Sequence, residues 1–199
     1  CPAPSFKPDW KSITEDVWQR TKVMFVCSPN NPSGSVLQLE DWQEIFDLQD
    51  KYGFIIASDE CYSEIYFDGN KPIGGLQAAA QLGRGNRNIV MFTSLSKRSN
   101  VPSLRSGFVA GDAVLLKDFL LYRTYHGSAM SLPVQRASIA AWDDEAHVAE
   151  NRRLYREKFE RVVPVLRQAF DVAIEDGFFL SVGEDGDGGG GAAADAFQC

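Results

Sequence analysis

The sequence contains no apolar run of roughly 18 residues, the length a helix needs to cross a bilayer, so no membrane span is expected. It also lacks a basic stretch leading into an apolar segment near its start, so no secretory signal is visible. Histidine occurs only 2 times and cysteine 4 times, at Cys1, Cys27, Cys61 and Cys199, with no Cys-x-x-Cys pair. That shortage of paired ligands argues against a zinc centre, and no metal is expected. The cysteines read as reduced thiols of a cytoplasmic protein. Positive charge is also in deficit: 20 Lys and Arg stand against 27 Asp and Glu, a net charge of -7. Nucleic-acid surfaces need clustered positive charge, so that class of partner is set aside. Position 1 is Cys1, not Met, and the expectation is a chain that begins inside a longer gene product or after processing. No internal repeat is found.

What remains is an ordinary globular composition. With 44% hydrophobic and 24% charged residues among 199, the chain can build one domain with its own core. Residues 1–21, with Pro2, Pro4 and Pro8, form a leading segment. Lys22-Val23-Met24-Phe25-Val26-Cys27 is a short apolar run bounded by Pro29 and predicts a buried strand. Turn chemistry follows in Ser28-Pro29-Asn30-Asn31-Pro32-Ser33-Gly34. Leu39, Trp42, Ile45, Phe46 and Leu48 then recur at helical spacing as far as Tyr52, where Gly53 stops the helix. Phe54 to Ser58, Ile89 to Thr93 and Gly107 to Gly111 predict three more strands.

Apolar strands alternating with helices predict an α/β fold, a three-layer sandwich on a mainly parallel sheet with both faces covered. Helices are expected from Asp112 to about Tyr125 and from Pro133 to Trp142. A long one runs from Asp144 to about Phe170, bent by Pro164 and wet on the side of Arg152, Arg153, Glu157, Lys158, Glu160 and Arg161. Val172-Ala173-Ile174 and Phe178-Phe179-Leu180 look like the opening strands of a second domain. The expected organisation is a large domain over 1–142, a connecting helix and the start of a small domain over 143–180, and a Gly/Ala-rich disordered tail over 181–199.

In sheets of this kind ligands gather beyond the carboxyl ends of the strands, and the polar clusters fall there. Lys97 follows the third strand directly. A lysine near a cationic neighbour and partly withdrawn from water keeps more of its amine available as a nucleophile. Alone it would read as a surface-loop lysine; its company is what distinguishes it. Arg105, eight residues on, carries a planar fork suited to a phosphate dianion, and Ser94 and Ser96 add hydroxyl donors. Asp59 ends an apolar strand, where a lone buried carboxylate needs a partner such as a protonated ring nitrogen. Asn31 and Tyr62 are placed to hydrogen-bond a phenolic oxygen on the same ring.

Taken in order, these segments resemble the class I and II aminotransferases of fold type I. The family pattern Asn-Pro-x-Asn-Pro-Thr-Gly is met here by Ser28-Pro29-Asn30-Asn31-Pro32-Ser33-Gly34, and Asp-x-x-Tyr by Asp59-Glu60-Cys61-Tyr62. Ser-x-x-Lys, with an arginine following, is met by Ser94-Leu95-Ser96-Lys97 and Arg105. The resemblance spans about residues 5–180. It implies pyridoxal 5'-phosphate as cofactor, held by Lys97 and paired through its ring nitrogen with Asp59. It also implies O3' bound by Asn31 and Tyr62, and the phosphate bound by Ser94 and Arg105, with Ser96 a weaker candidate.

The stretches from Ser58 to Phe67 and from Leu121 to Ser131 resemble a subgroup, the succinyldiaminopimelate aminotransferases of lysine biosynthesis. Implied partners are small amino acids, with glutamate as donor, and keto acids; a homodimer is implied for the full-length parent.

The resemblance has departures. Ser103 stands where the family usually has Gly, which strains the Arg105 loop if that residue needs a positive φ. The family's amino-terminal phosphate turn and stacking aromatic, and its carboxyl-terminal arginine for the substrate carboxylate, have no counterpart here. The fold is therefore read as incomplete at both ends, and an inactive fragment stays an alternative. A carbon–sulfur lyase on the same scaffold is another, and a cofactor-binding sensor domain a third. Outside the motifs, His126 reads as a satisfied helix-end histidine, Arg123 as a surface or interface charge, and Cys61, Trp42 and Tyr66 as packing residues.

Overall fold

The computed structural model describes residues 7–67, 69–174 and 180–183. In chain order the elements are α1 (Glu15–Arg20), β1 (Val23–Cys27), α2 (Leu39–Tyr52), β2 (Ile55–Asp59) and α3 (Gly75–Gln81). There follow β3 (Ile89–Ser94), α4 (Leu95–Arg98), β4 (Gly107–Gly111), α5 (Ala113–His126), α6 (Leu132–Asp143) and α7 (Ala146–Leu166). A small antiparallel pair, β5 (Asp171–Ile174) and β6 (Leu180–Gly183), completes the set. The main sheet has 4 strands in the order β1-β2-β3-β4. β1, β2 and β3 run parallel and β4 returns antiparallel to β3, so the fold is α/β on a mainly parallel sheet.

The helix α2 shows how the sequence makes these elements. Glu40 and Asp41 sit in its first turn, where negative charge suits the helix dipole. Asp41 Oδ2 accepts from the Gln38 backbone N–H at 2.7 Å, closing the amino end. At the other end Gly53 takes the left-handed conformation at φ 75°, which lets its N–H reach the Gln49 carbonyl at 2.7 Å. Trp42, Ile45, Phe46 and Gln49 are its buried positions, one stripe at helical spacing. That stripe packs with Met24, Val26, Ile56 and Ile89 from the sheet, and with Ala78 and Ala79 from α3, to form the core. The Trp42 ring is fully buried and its Nε1–H donates to the Ile73 carbonyl at 3.1 Å.

The second face of the sheet is covered unevenly. At β3, Phe119 of α5 meets Phe92 edge-on with ring centroids 6.2 Å apart. Phe92 lies three positions from Ile89 and so points to the face opposite α2. At β1 the alternation puts Met24 and Val26 in the core but leaves Phe25 83% exposed. The three-layer expectation holds in the middle of the sheet, whereas the outward face of β1 is bare among the described residues.

The predicted strands and long helices match to within a few residues. Three short helices, α1, α3 and α4, escaped the sequence reading: each is under eight residues and carries too few turns for a periodicity. Pro164 falls in the last turn of α7, which ends at Leu166, short of Phe170. β6 reaches Gly183, so Ser181 to Gly183 form a strand within the segment read as tail. The rest of that tail, and Phe178 and Phe179, lie outside the described residues.

Candidate active site

Parallel strands joined by returning helices end on the same edge of the sheet. Here the register pairs Cys27 with Asp59 and Asp59 with Phe92, so β1, β2 and β3 finish nearly level. Asn31, Asp59, Tyr62, Ser94, Ser96, Lys97 and Arg105 each sit at one of those ends or in the turns beyond.

Beyond β1, the Ser28 N–H donates to the Asp59 carbonyl at 3.1 Å, and its buried Oγ accepts from the Leu37 N–H at 3.0 Å. Gly34, at φ 75°, turns its N–H onto the Asn30 carbonyl at 2.8 Å. The loop so closed presents Asn31, whose Nδ2 donates to the Tyr62 hydroxyl at 3.3 Å. Tyr62 is buried, which pushes its phenol up from the ordinary value, against a smaller opposing pull from the Asn31 hydrogen bond. Lys97 Nζ lies over the Tyr62 ring, 5.4 Å from its centroid. The structure thus brings Asn31, Tyr62 and Lys97 together although 31 and 35 residues separate them in sequence.

Beyond β2 the expectation of a buried Asp59 needs correcting. Asp59 is exposed, with Oδ1 accepting from the Cys61 N–H at 3.0 Å. The buried carboxylate is its neighbour, Glu60, at 7% exposure. Glu60 Oε1 accepts from Ser58 Oγ at 2.9 Å and from the Gly75 N–H at 2.9 Å, which fixes the start of α3. Burial raises the Glu60 carboxyl above the usual carboxylate range. A Cβ on Gly74 would sit 2.1 Å from Glu60 Oε2, so only glycine lets this carboxylate approach.

Beyond β3, Ser94 caps α4 by accepting from the Ser96 N–H at 3.3 Å and touches Cys61 Sγ at 3.5 Å. The Cys61 thiol is pushed up to about 11, chiefly by burial, which fits a packing role rather than a nucleophile. Cys27 and Cys61 are both free thiols.

The strain expected at Ser103 falls instead on Arg105. Ser103 lies in a short 3-10 turn, Pro102–Leu104, and Arg105 takes the left-handed conformation at φ 51°. For a non-glycine residue that geometry costs about 1–2 kcal/mol. The Arg105 Nη1 donates to the Pro102 carbonyl at 3.0 Å, which holds the guanidinium back over its own loop.

A cleft of about 540 Å³ opens here, walled by Ser94, Ser96, Arg105, Cys61, Phe92 and Phe119 among others. Its size lies within the roughly 300–1,000 Å³ of small-ligand sites. Arg123 of α5, expected as a surface or interface charge, also lines it. Asn31, Asp59, Tyr62 and Lys97 are not among its described wall residues; Asp59 bonds to the wall residue Cys61, Tyr62 and Lys97 follow Cys61 and Ser96 in the chain, and Asn31 is linked only through Tyr62. A cleft of about 310 Å³ around Arg84, Arg87 and Asp50, at the other end of the strands, carries none of these groups.

Residues 1–197 match the family model for aminotransferase class I and II. The chain belongs to this family. The chain is 78% identical to an aminotransferase of Neisseria meningitidis of known structure, with a TM-score of 0.88 over 92% of this chain and 47% of that one. A probable N-succinyldiaminopimelate aminotransferase from Thermus thermophilus superposes with a TM-score of 0.77 at 25% identity, over 87% of this chain and 46% of the other. The LL-diaminopimelate aminotransferase of Moorella thermoacetica is 35% identical over 162 residues, 81% of this chain and 40% of that protein. This chain therefore spans less than half the length of these relatives. Members of the family are dependent on pyridoxal phosphate. The donor set here suits that group: a primary amine, an exposed carboxylate, three hydroxyls, an amide and a guanidinium around one edge of the sheet. Among the described residues no helix is long and apolar enough to cross a membrane.

Proposed function

We propose that the chain is the cofactor-holding part of a pyridoxal-phosphate-dependent aminotransferase that moves an amino group between glutamate and a keto acid. The reading is carried by one observation: Asn31 donates to the Tyr62 hydroxyl, and Lys97 Nζ lies over the same ring, next to a cleft walled by Ser94, Ser96 and Arg105. When bound, the cofactor supplies an electron sink for the charge that develops at the substrate Cα. Lys97 Nζ would anchor it and would then move a proton between the substrate Cα and C4' of the cofactor, the transfer that shifts the amino group. Asp59 would hold the ring nitrogen, Asn31 and Tyr62 would hold O3', and Ser94, Ser96 and Arg105 would hold the phosphate. The buried state of Tyr62 keeps its phenol protonated at neutral pH, so it acts there as a donor.

The substrate reading is succinyldiaminopimelate transamination in lysine biosynthesis. It rests on the Thermus and Moorella relatives, whose names carry the two diaminopimelate substrates. A homodimer of the parent protein fits α5, which exposes Val114, Leu120, Leu121, Tyr122 and Tyr125 and has no buried position.

The test is to add pyridoxal phosphate to the purified chain and to its Lys97→Ala variant, reduce with borohydride and map the adduct. A reduced pyridoxyl group on Lys97, absent from the variant, supports the reading; a parent chain that carries none at position 97 sinks it. Adding glutamate before reduction separates transamination, which protects Lys97 from labelling, from a lyase, which leaves labelling intact.

A further inference from the structure

We infer that α7 is a strut that positions the two halves of this site. His147 and Asn151 hold the turn that carries Lys97, and Arg152 holds the turn that carries Tyr62. The inference deepens the reading above and rests on it for the identity of the two turns.

α4 has only 4 residues, too few to keep its shape by its own hydrogen bonds. It is held from outside at consecutive positions. The Lys97 carbonyl accepts from Asn151 Nδ2 at 3.3 Å. Arg98, 6% exposed, donates to the Ala141 carbonyl at 2.7 Å, pairs with Glu145, and lies 4.9 Å over the Trp142 ring. Ser99 Oγ lies 2.8 Å from His147 Nε2, and the imidazole is oriented by Asp144 at 2.9 Å from its Nδ1. His147 and Asn151 stand four residues apart, so both face α4 from one side of α7.

Asn151 and Arg152 are adjacent, so they point about 100° apart around the helix. Arg152 reaches the other turn. Its Nε donates to the Glu64 carbonyl at 3.0 Å and its Nη2 meets Glu64 Oε2 at 3.0 Å, with both side chains under a fifth exposed. Its guanidinium lies 4.1 Å from the Tyr66 ring centroid. Two turns further, Phe159 packs 4.4 Å from Phe67 and shares a small core with Tyr62 and Ile65. One helix therefore grips both turns, and the separation of the Lys97 amine from the Tyr62 ring is set by how α7 is seated. No local motif signals this, because the gripped residues lie 48 to 88 positions from their partners.

The test uses the full chain and two independent readouts. Amide hydrogen exchange, without cofactor, follows Ser99, whose N–H donates to Leu95, and Ile65, whose N–H donates to Tyr62. The paired change His147→Ala with Asn151→Ala is expected to speed exchange at Ser99 at least tenfold and leave Ile65 unchanged. Arg152→Ala is expected to do the reverse. His147→Gln, which can still bond to Ser99 Oγ, restores protection, and Arg161→Ala on the exposed side of α7 changes neither amide. The second readout is the rate at which pyridoxal phosphate with borohydride labels Lys97, expected to fall several-fold in both loosened variants.

The strut is refuted if Ser99 and Ile65 respond equally in every variant, since that signals general destabilisation, or if loosened turns label at the parent rate. A parent chain that is never labelled at Lys97 overturns the cofactor reading instead. The exchange pattern then decides alone whether α7 holds the two turns.

Discussion

At the scale of single residues, the site separates two neighbouring carboxylates by environment. Asp59 faces solvent at the strand end, whereas Glu60 is folded under it against Ser58 and Gly75. Because burial raises the folded Glu60 carboxyl above its ordinary 4.5, its favourable contribution is complete below about pH 4.5. That contribution is lost as pH rises through the raised value. Glu60→Gln keeps an oxygen for both donors and carries no charge. It is expected to be more stable than the parent at pH 8, with the difference closing toward pH 4 in urea unfolding. Removing the acceptor altogether, as in Glu60→Ala, leaves the Gly75 N–H and Ser58 hydroxyl unpaired and should cost about 1–3 kcal/mol near pH 4, and less at pH 8 where the parent carries the buried charge. Sequence could not tell these two carboxylates apart. The apolar run of β2 pointed to Asp59 as the buried one, but the depth of Glu60 comes from α3 closing over it, a contact between residues 15 apart.

At the scale of elements, the legible ones are those whose ends carry their own signals. α2 shows an acidic first turn, a buried stripe and a glycine stop, and the structure places its end at Tyr52 as the sequence predicts. Gly53→Ala forces a Cβ into the left-handed region and should cost about 1 kcal/mol, read as a shifted urea midpoint with an unchanged slope. α4 is the opposite case. It bears the candidate lysine, yet nothing in Leu95-Ser96-Lys97-Arg98 marks a helix, because its geometry is imposed by Ser94 at one end and by α6 and α7 along its side. The motifs named the residues of the site; the local shape that presents them was not written locally.

At the scale of the whole molecule, cohesion is concentrated on one face of the sheet. Trp42, Ile45 and Phe46 are fully enclosed there. Trp42→Ala removes the largest of them together with its bond to Ile73, and should cost about 3–5 kcal/mol in denaturant unfolding. Phe25, equally aromatic and in the adjoining strand, is 83% exposed, and Phe25→Ser should shift stability by no more than about 0.5 kcal/mol. The contrast was invisible in sequence, where Lys22 to Cys27 reads as one apolar run buried on both sides. Composition cannot reveal which neighbour covers a face.

The level finish of β1, β2 and β3 carries a consequence for how such a chain can change length. Side chains along a strand alternate between faces, so one residue inserted inside β2 would swing every later side chain to the opposite face and move the Asp59 carboxylate away from its neighbours. The same insertion in the turn after Gly53, at the far end of the strand, would leave that edge untouched. Tolerance to insertions should therefore be high in the turns that precede these strands and lost anywhere within them.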